Sequence, residues 1–228
     1  MSVEASFTPE LFSFLADLSA NNQREWFQAN KTRYERVARD PALRFIAGFA
    51  PVLHQISPHF EANPKPVGGS LFRIYRDTRF SADKTPYKTH IGVHFRHSAG
   101  ADVHAPGFYL HLAPGDCVAG VGIWEPDNVA LTRLRDAIVR RSAAWGQIKA
   151  DLAARGFEWM GESLSRAPRG YDKDHAHVED LKRKSFAVKR TFSEAEVCGA
   201  DFRDRFADAL SEASPLAAFV CDALDLSF

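Results

Sequence analysis

Nowhere in the 228 residues do 18 apolar side chains follow one another, so no segment has the length and hydropathy of a spanning helix. The opening MSVEASFTPE lacks both the basic start and the apolar run of a secretory signal. The expectation is a cytoplasmic protein with no membrane partner. Cysteine is scarce: Cys117, Cys198 and Cys221 are odd in number and show no CxxC spacing, which speaks against a disulfide framework or a zinc knuckle and leaves small core residues. Internal repeats, a P-loop, a dinucleotide-binding glycine fingerprint, a nucleophile elbow and an HExxH pair are also missing. An excess of charge of either sign is lacking too, with 29 Lys and Arg against 29 Asp and Glu, which weighs against a surface that attracts polyanions everywhere.

What is present suits a folded protein. With 45% hydrophobic residues, the chain can bury a sizeable core as one domain spanning 1–228. Thr8-Pro9-Glu10 reads as a helix start, and Leu11, Phe12, Phe14, Leu15 and Leu18 continue at helical spacing to a stop at Asn21-Asn22. A second helix carries Trp26, Phe27, Tyr34 and Val37 to about Arg39, and a third runs from Pro41 to about Ile56, completing a helical part over 8–57. From Leu71 to Trp124 the period changes to two, in the runs LFRIYR, THIGVHF, GFYLHL and VAGVGIW. Helices return after Pro126-Asp127, with a break near Ser142. A polar loop (161–180), a strand near 185–192 and closing helices from Ser193 complete the part over 126–228. The fold class is α+β: a central antiparallel sheet, with a meander over about 71–124, and helices packed on one face.

Strand alternation sorts side chains by face. One face collects Phe72, Ile74, Ile91, Val93, Phe95, Phe108, Leu110, Leu112, Val121 and Ile123, and is the expected core. The other collects Arg73, Tyr75, His90, His94, Arg96, Tyr109, His111 and Trp124, with Gly92, Gly120 and Gly122 leaving room above the sheet. Arg76 has the wrong parity and is expected to turn outward to Asp77 or Asp83, because a lone buried guanidinium is costly. His90 and His94 are too far apart along one strand to share an ion, roughly 13 Å. Only a cross-strand pair such as His94 with His111 suits a metal, and none is expected. The sequence does not identify a cofactor.

The balanced charge is unevenly placed. Residues 65–97 hold seven Lys and Arg against two Asp, residues 166–190 hold eight against four, and the remainder is acidic, 14 against 23. Two basic segments on an acidic protein point to a local anionic partner. The loop RDTRFSADKTPYK (76–88) sets Arg76, Arg79, Lys84 and Lys88 among Asp77, Asp83, Phe80 and Tyr87. Guanidinium groups match phosphate or carboxylate bidentately; the alternative is a salt-bridge scaffold that only fixes the loop.

The stretch FRIYRDTRFSADKTPYKTHIG, with the upstream NNQREWF, the PGFYLHL run and the late PRGYDKDH, resembles the uncharacterised family called domain of unknown function 2461, over about Phe7 to Leu210. The signature falls on Arg76, Asp77, Arg79, Phe80, Asp83, Lys84, Pro86, Tyr87 and Lys88, and the late element on Pro168, Gly170, Tyr171 and His175. Ala176 stands where the family pattern often has proline. The resemblance implies no activity.

The expected function is therefore binding of a small phosphate- or carboxylate-bearing ligand on the polar sheet face. Arg73, Tyr75, Arg76, Asp77, Arg79, Asp83, Lys84, Tyr87, Lys88 and Tyr109 would be its ligand-binding residues, with the late loop 168–184 closing over it through Arg169, Tyr171 and His175. If there is a reaction, His90, His94 and His111 are the candidate acids or bases. The competing expectation is a nucleic-acid module that tracks phosphates along segments 65–97 and 166–190 and stacks bases on their aromatic residues.

Overall fold

The structure, a computed structural model, describes residues 5–79, 81–100 and 105–228; Phe80 of the basic loop and His104 lie outside these. Helix α1 (Pro9–Ala20) has proline in its first turn and buries Leu11, Phe12, Phe14, Leu15 and Leu18, the five positions that its spacing picks out. The second expected helix is broken into α2 (Arg24–Ala29), α3 (Lys31–Tyr34) and a π-helical turn (Glu35–Arg39) that runs into α4 (Asp40–Ile56). The wide turn lies just ahead of Pro41, which has no N–H to donate to the ladder of the preceding turn.

The sheet is formed by β1 (Ile91–Arg96), β2 (Gly107–Ala113) and β3 (Asp116–Ile123), followed in the chain by α5 (Asn128–Arg140), α6 (Ser142–Ala154), β4 (Glu158–Trp159), α7 (Val178–Leu181), β5 (Phe186–Phe192), α8 (Glu194–Val197) and α9 (Phe202–Ala223). The strands lie in the order β1-β2-β3-β5-β4, and every pairing is antiparallel. The Asp127 carboxylate accepts from the Ala130 N–H and starts α5 where the sequence places it. Strand β4 is two residues long, too short to leave a periodic signal.

Helix α9 packs on β3 and α4 packs on β1. Between the helices and the sheet, Phe45, Phe49, Phe95 and Phe206 meet with ring centroids 5.2–6.3 Å apart. The expected core positions of β1 to β3, from Ile91 through Ile123, are all buried, so the parity of these three strands is as the alternation gives it.

The run 71–76 departs from this. Leu71, not Phe72, lies opposite Val93, and only the bonds Phe72 N–H to Gly92 O (2.9 Å) and His94 N–H to Ser70 O (2.8 Å) join it to β1. Beyond Ile74 the chain turns to pair with the end of its own loop, through Arg76 N–H to Pro86 O (2.9 Å) and Lys88 N–H to Ile74 O (2.7 Å). The run therefore serves two partners in succession and keeps no single parity. Leu71 and Ile74 enter the core, while Phe72 turns to the polar face. One residue of slip exchanges faces, and Phe72 takes the place expected for Arg73.

Candidate functional site

The open face of β1 and β2 carries an ordered row of polar rings. His94 lies opposite Tyr109 and Gly92 opposite His111. Tyr109 leans across Gly92, where a Cβ would stand 2.6 Å from its hydroxyl oxygen, and His94 leans over Gly107, where a Cβ would stand 2.0 Å from its Nε2. The space left by Gly92 is thus filled by Tyr109 and is not free for a ligand. Gly120 keeps open room, its Cβ position meeting only Tyr109 at 3.4 Å and beyond. Gly122 has φ +130° and lies against the Phe186 carbonyl, so its role is backbone approach between β3 and β5.

Beyond Tyr109 the row continues. The Tyr109 hydroxyl is 3.3 Å from His111 Nδ1, and His111 Nε2 is 3.7 Å from an Asp116 carboxylate oxygen. The His90 ring lies 4.4 Å from that of His111. The close histidine pair is therefore His90 with His111, not His94 with His111. Burial pushes His90 down to about 4, with His111 and Lys88 adding to it. Burial, and then Arg96, does the same to His94. Burial also lowers His111 and pushes the Tyr109 phenol up to about 12. At neutral pH the row is an uncharged set of donors and acceptors. Bases as weak as His90 and His94 are far from the pH at which general base catalysis is efficient.

Beside this row lies a cavity of about 380 Å³ lined by Phe72, His94, Ala105, Gly107, Tyr109, Gly120, Val121, Gly122, Trp124, Met160 and Ala187. It is an aromatic and aliphatic pocket to which His94 brings an imidazole that is neutral at pH 7. Sorting residues by polarity does not reveal its apolar walls. Strand alternation places Phe72 in the core, and Met160 and Ala187 come from the β4 and β5 side, where a pairing partner has to be known first. Trp124, 42% exposed, was the one legible signal, a large aromatic placed on the polar face.

Phe72 also walls a second, shallower groove with Arg73, Tyr75, Arg76, Asp77, Arg79 and Lys88. Lys88 Nζ lies over the Phe72 ring, 5.1 Å from its centroid. Burial and the neighbouring Arg73 both lower the Lys88 pKa. Among the described residues neither Arg73 nor Lys88 has a carboxylate partner.

The rest of the 76–88 loop is internally paired. Arg76 binds Asp83 and Thr85, as its parity suggested. Arg79 holds Asp77 through Nε and Nη2, at 3.0 and 2.7 Å, and Lys84 donates to the Thr78 carbonyl at 2.9 Å. These bonds pull Asp77 and Asp83 down to about 2, Arg79 acting on the first and Arg76 on the second. Such exposed pairs fix a loop without contributing much stability. Tyr87 is 2% exposed and cannot reach a ligand in the groove. It stacks on Phe27 at 4.1 Å, and the Asn22 side chain clamps its backbone, donating to the Tyr87 carbonyl (2.9 Å) and accepting from its N–H (3.0 Å). The upstream NNQREWF motif is thus the anchor of the basic loop. Tyr75, 53% exposed, touches Phe27 and Tyr87 and not the sheet-face row.

The late loop does not cover the sheet face. The Tyr171 hydroxyl donates to Asp136 on α5 at 2.9 Å, and His177 Nε2 is 2.9 Å from the Ser142 carbonyl at the start of α6. Tyr171 and His175 border a depression with Asp136 and Arg140 that shares no residue with the pocket or groove above; Arg169 lines none of the three. The segment is a strap on the helical layer. Lys182, Arg183, Lys184, Lys189 and Arg190 are ion-paired with Glu179, Asp180, Glu162, Glu158 and Glu212, so they present no run of free cations to a nucleic acid strand. Among the described residues no helix is long and apolar enough to cross a membrane.

The model of a family described as "Conserved hypothetical protein (DUF2461)" matches residues 10–219. Neither a curated protein nor a solved structure matches the chain.

Proposed function

We propose that this chain, which belongs to the DUF2461 family of conserved hypothetical proteins, binds a small amphipathic acid. The apolar body of the ligand lies in the sheet-face pocket, and its phosphate or carboxylate lies between Arg73 and Lys88. One observation carries this reading. Two neighbouring cations, one of them partly buried and made less basic by its burial, line one groove with no ion pair of their own among the described residues, the nearby Asp77 being held by Arg79. They stand beside Phe72, the ring that also walls an apolar cavity. Like charges held side by side without an ion pair of their own are unfavourable in the free protein, and an anion relieves them. Neutral His94 and the Tyr109 hydroxyl supply orienting hydrogen bonds at the pocket end, the usual division of labour in a small-molecule site.

Octyl phosphate tests the proposal, with octanol and inorganic phosphate as its two halves, by isothermal titration. Octyl phosphate is expected to bind more tightly than either half. Lys88→Met is expected to weaken it about tenfold or more, the worth of a charge-assisted hydrogen bond, while leaving the melting temperature of the free protein unchanged or raised. Unchanged affinity in Lys88→Met, with a loss of stability, would make Lys88 a structural residue and reject the site. Binding of single-stranded oligonucleotides that weakens steeply as salt rises would favour phosphate tracking over an enclosed ligand.

A further inference from the structure

A second cavity, of about 440 Å³, opens in the helical layer and shares no residue with the sheet-face pocket or the basic groove. It lies where the segment before α1, the π-helical turn, the start of α4 and the start of α9 converge, and its polar walls are Ser6, Thr8, Glu10, Arg36, Arg44 and Arg203. Three guanidinium groups therefore face one carboxylate. Arg36 is paired with Glu10 at 3.1 Å, whereas Arg44 and Arg203 have no ion pair among the described residues. The Nε of Arg203 is buried and lacks any hydrogen-bond partner, the one such side-chain atom among the described residues. Its guanidinium is seated against Gly48, where a Cβ would come within 3.0 Å of Nη2. A bare glycine thus gives the planar group its place beside the cavity. Thr8 precedes α1 without capping it by its side chain, which leaves its hydroxyl available as a donor.

We infer that this cavity is a separate binding site for a phosphoryl group. Counting Glu10 against Arg36, two positive charges remain, which match the dianion of a phosphate monoester, and guanidinium forks suit its oxygens. The serine and threonine hydroxyls add to the donor set, and the one carboxylate of the cavity, Glu10, is held by Arg36. An uncompensated, partly buried arginine is costly in a free protein, and an anion bound between Arg44 and Arg203 removes that cost.

The test is titration of wild-type protein, Arg44→Ala, Arg203→Met and Lys88→Met with inorganic phosphate and with glycerol 3-phosphate, neither of which has an apolar body for the sheet-face pocket. Wild type and Lys88→Met are expected to bind one equivalent alike, and the two arginine variants to lose about tenfold or more in affinity. Because Arg44 is exposed, its variant reports on binding even if Arg203→Met does not fold. Tighter binding of glycerol 3-phosphate than of phosphate assigns the site to monoesters, and equal binding assigns it to the free ion. Absence of phosphate binding by the wild type, or equal affinity in wild type and Arg44→Ala, overturns the inference. If instead Lys88→Met alone loses phosphate, the ion belongs to the sheet-face site and this second site does not exist.

Discussion

Asp180→Ala is expected to lower stability by about 3 kcal/mol or more, a fall in melting temperature on the order of 10 °C for a chain of this size. Asp180 is 1% exposed and accepts from Trp145 Nε1 (3.1 Å), Lys149 Nζ (2.6 Å) and Arg183 Nε (3.2 Å). Burial raises its carboxyl pKa, but the bonds from Lys149 and Trp145 outweigh this and hold it below the ordinary value. Alanine strands two cations and an indole N–H beneath the late loop, and a stranded buried charge costs more than the pair contributes. The same change at Asp77, whose partner Arg79 is 77% exposed, is expected to leave the melting curve nearly unmoved. Thermal melts of the two variants compare a strap that holds the helical layer with a surface pair. Similar small losses in both would contradict the strap and reopen the late loop as a lid.

Acid is expected to destabilise the protein in a window set by the sheet-face histidines. His90 and His94 are pushed from 6.5 to about 4 in the folded state. Above pH 6.5 both the folded and unfolded forms carry neutral rings, and these groups contribute nothing. As pH falls below 6.5 the unfolded chain takes up protons that the folded one refuses, so stability drops until the folded rings titrate near pH 4. The ceiling is about 1.4 kcal/mol per pH unit per ring, and because both rings keep some solvent contact the sum is a few kcal/mol. Asp77 and Asp83, pulled down to about 2, act oppositely placed on the scale. Their contribution is intact above the ordinary carboxylate value and is lost only as pH falls toward 2. Melting temperatures from pH 7 to pH 4 should therefore decline in wild type and flatten in His90→Asn/His94→Gln. An equal slope in the double variant would mean that the rings are already solvated.

The strands and helices with sustained periodicity could be read from the sequence, because burial on one side is what periodicity records. The parity of β1 to β3 put His94, Tyr109 and His111 on one face correctly. It failed at Phe72, where the chain changes partner from β1 to its own loop, and no local pattern announces such a change. The basic loop was legible as a cluster but not in its pairing. Arg73 and Lys88 look like Arg76 and Arg79 in composition, yet only the latter two find carboxylates inside the loop. The Asn22 clamp on Tyr87 joins residues 65 positions apart, and the apolar pocket needs the order β3-β5-β4 before its walls meet. Both are products of tertiary arrangement. The Arg203 cavity is of the same kind, assembled from four separated segments.

The central claim is that one ligand spans the apolar pocket and the Arg73–Lys88 groove across Phe72. A crystal structure of the protein grown with octyl phosphate tests it most directly. The account predicts the alkyl chain between Tyr109, Trp124 and Met160 and the phosphate oxygens within hydrogen-bonding distance of both Arg73 and Lys88. A phosphate bound instead to Arg76 and Arg79 with their carboxylates displaced, or an empty pocket beside an occupied Arg203 cavity, would contradict it.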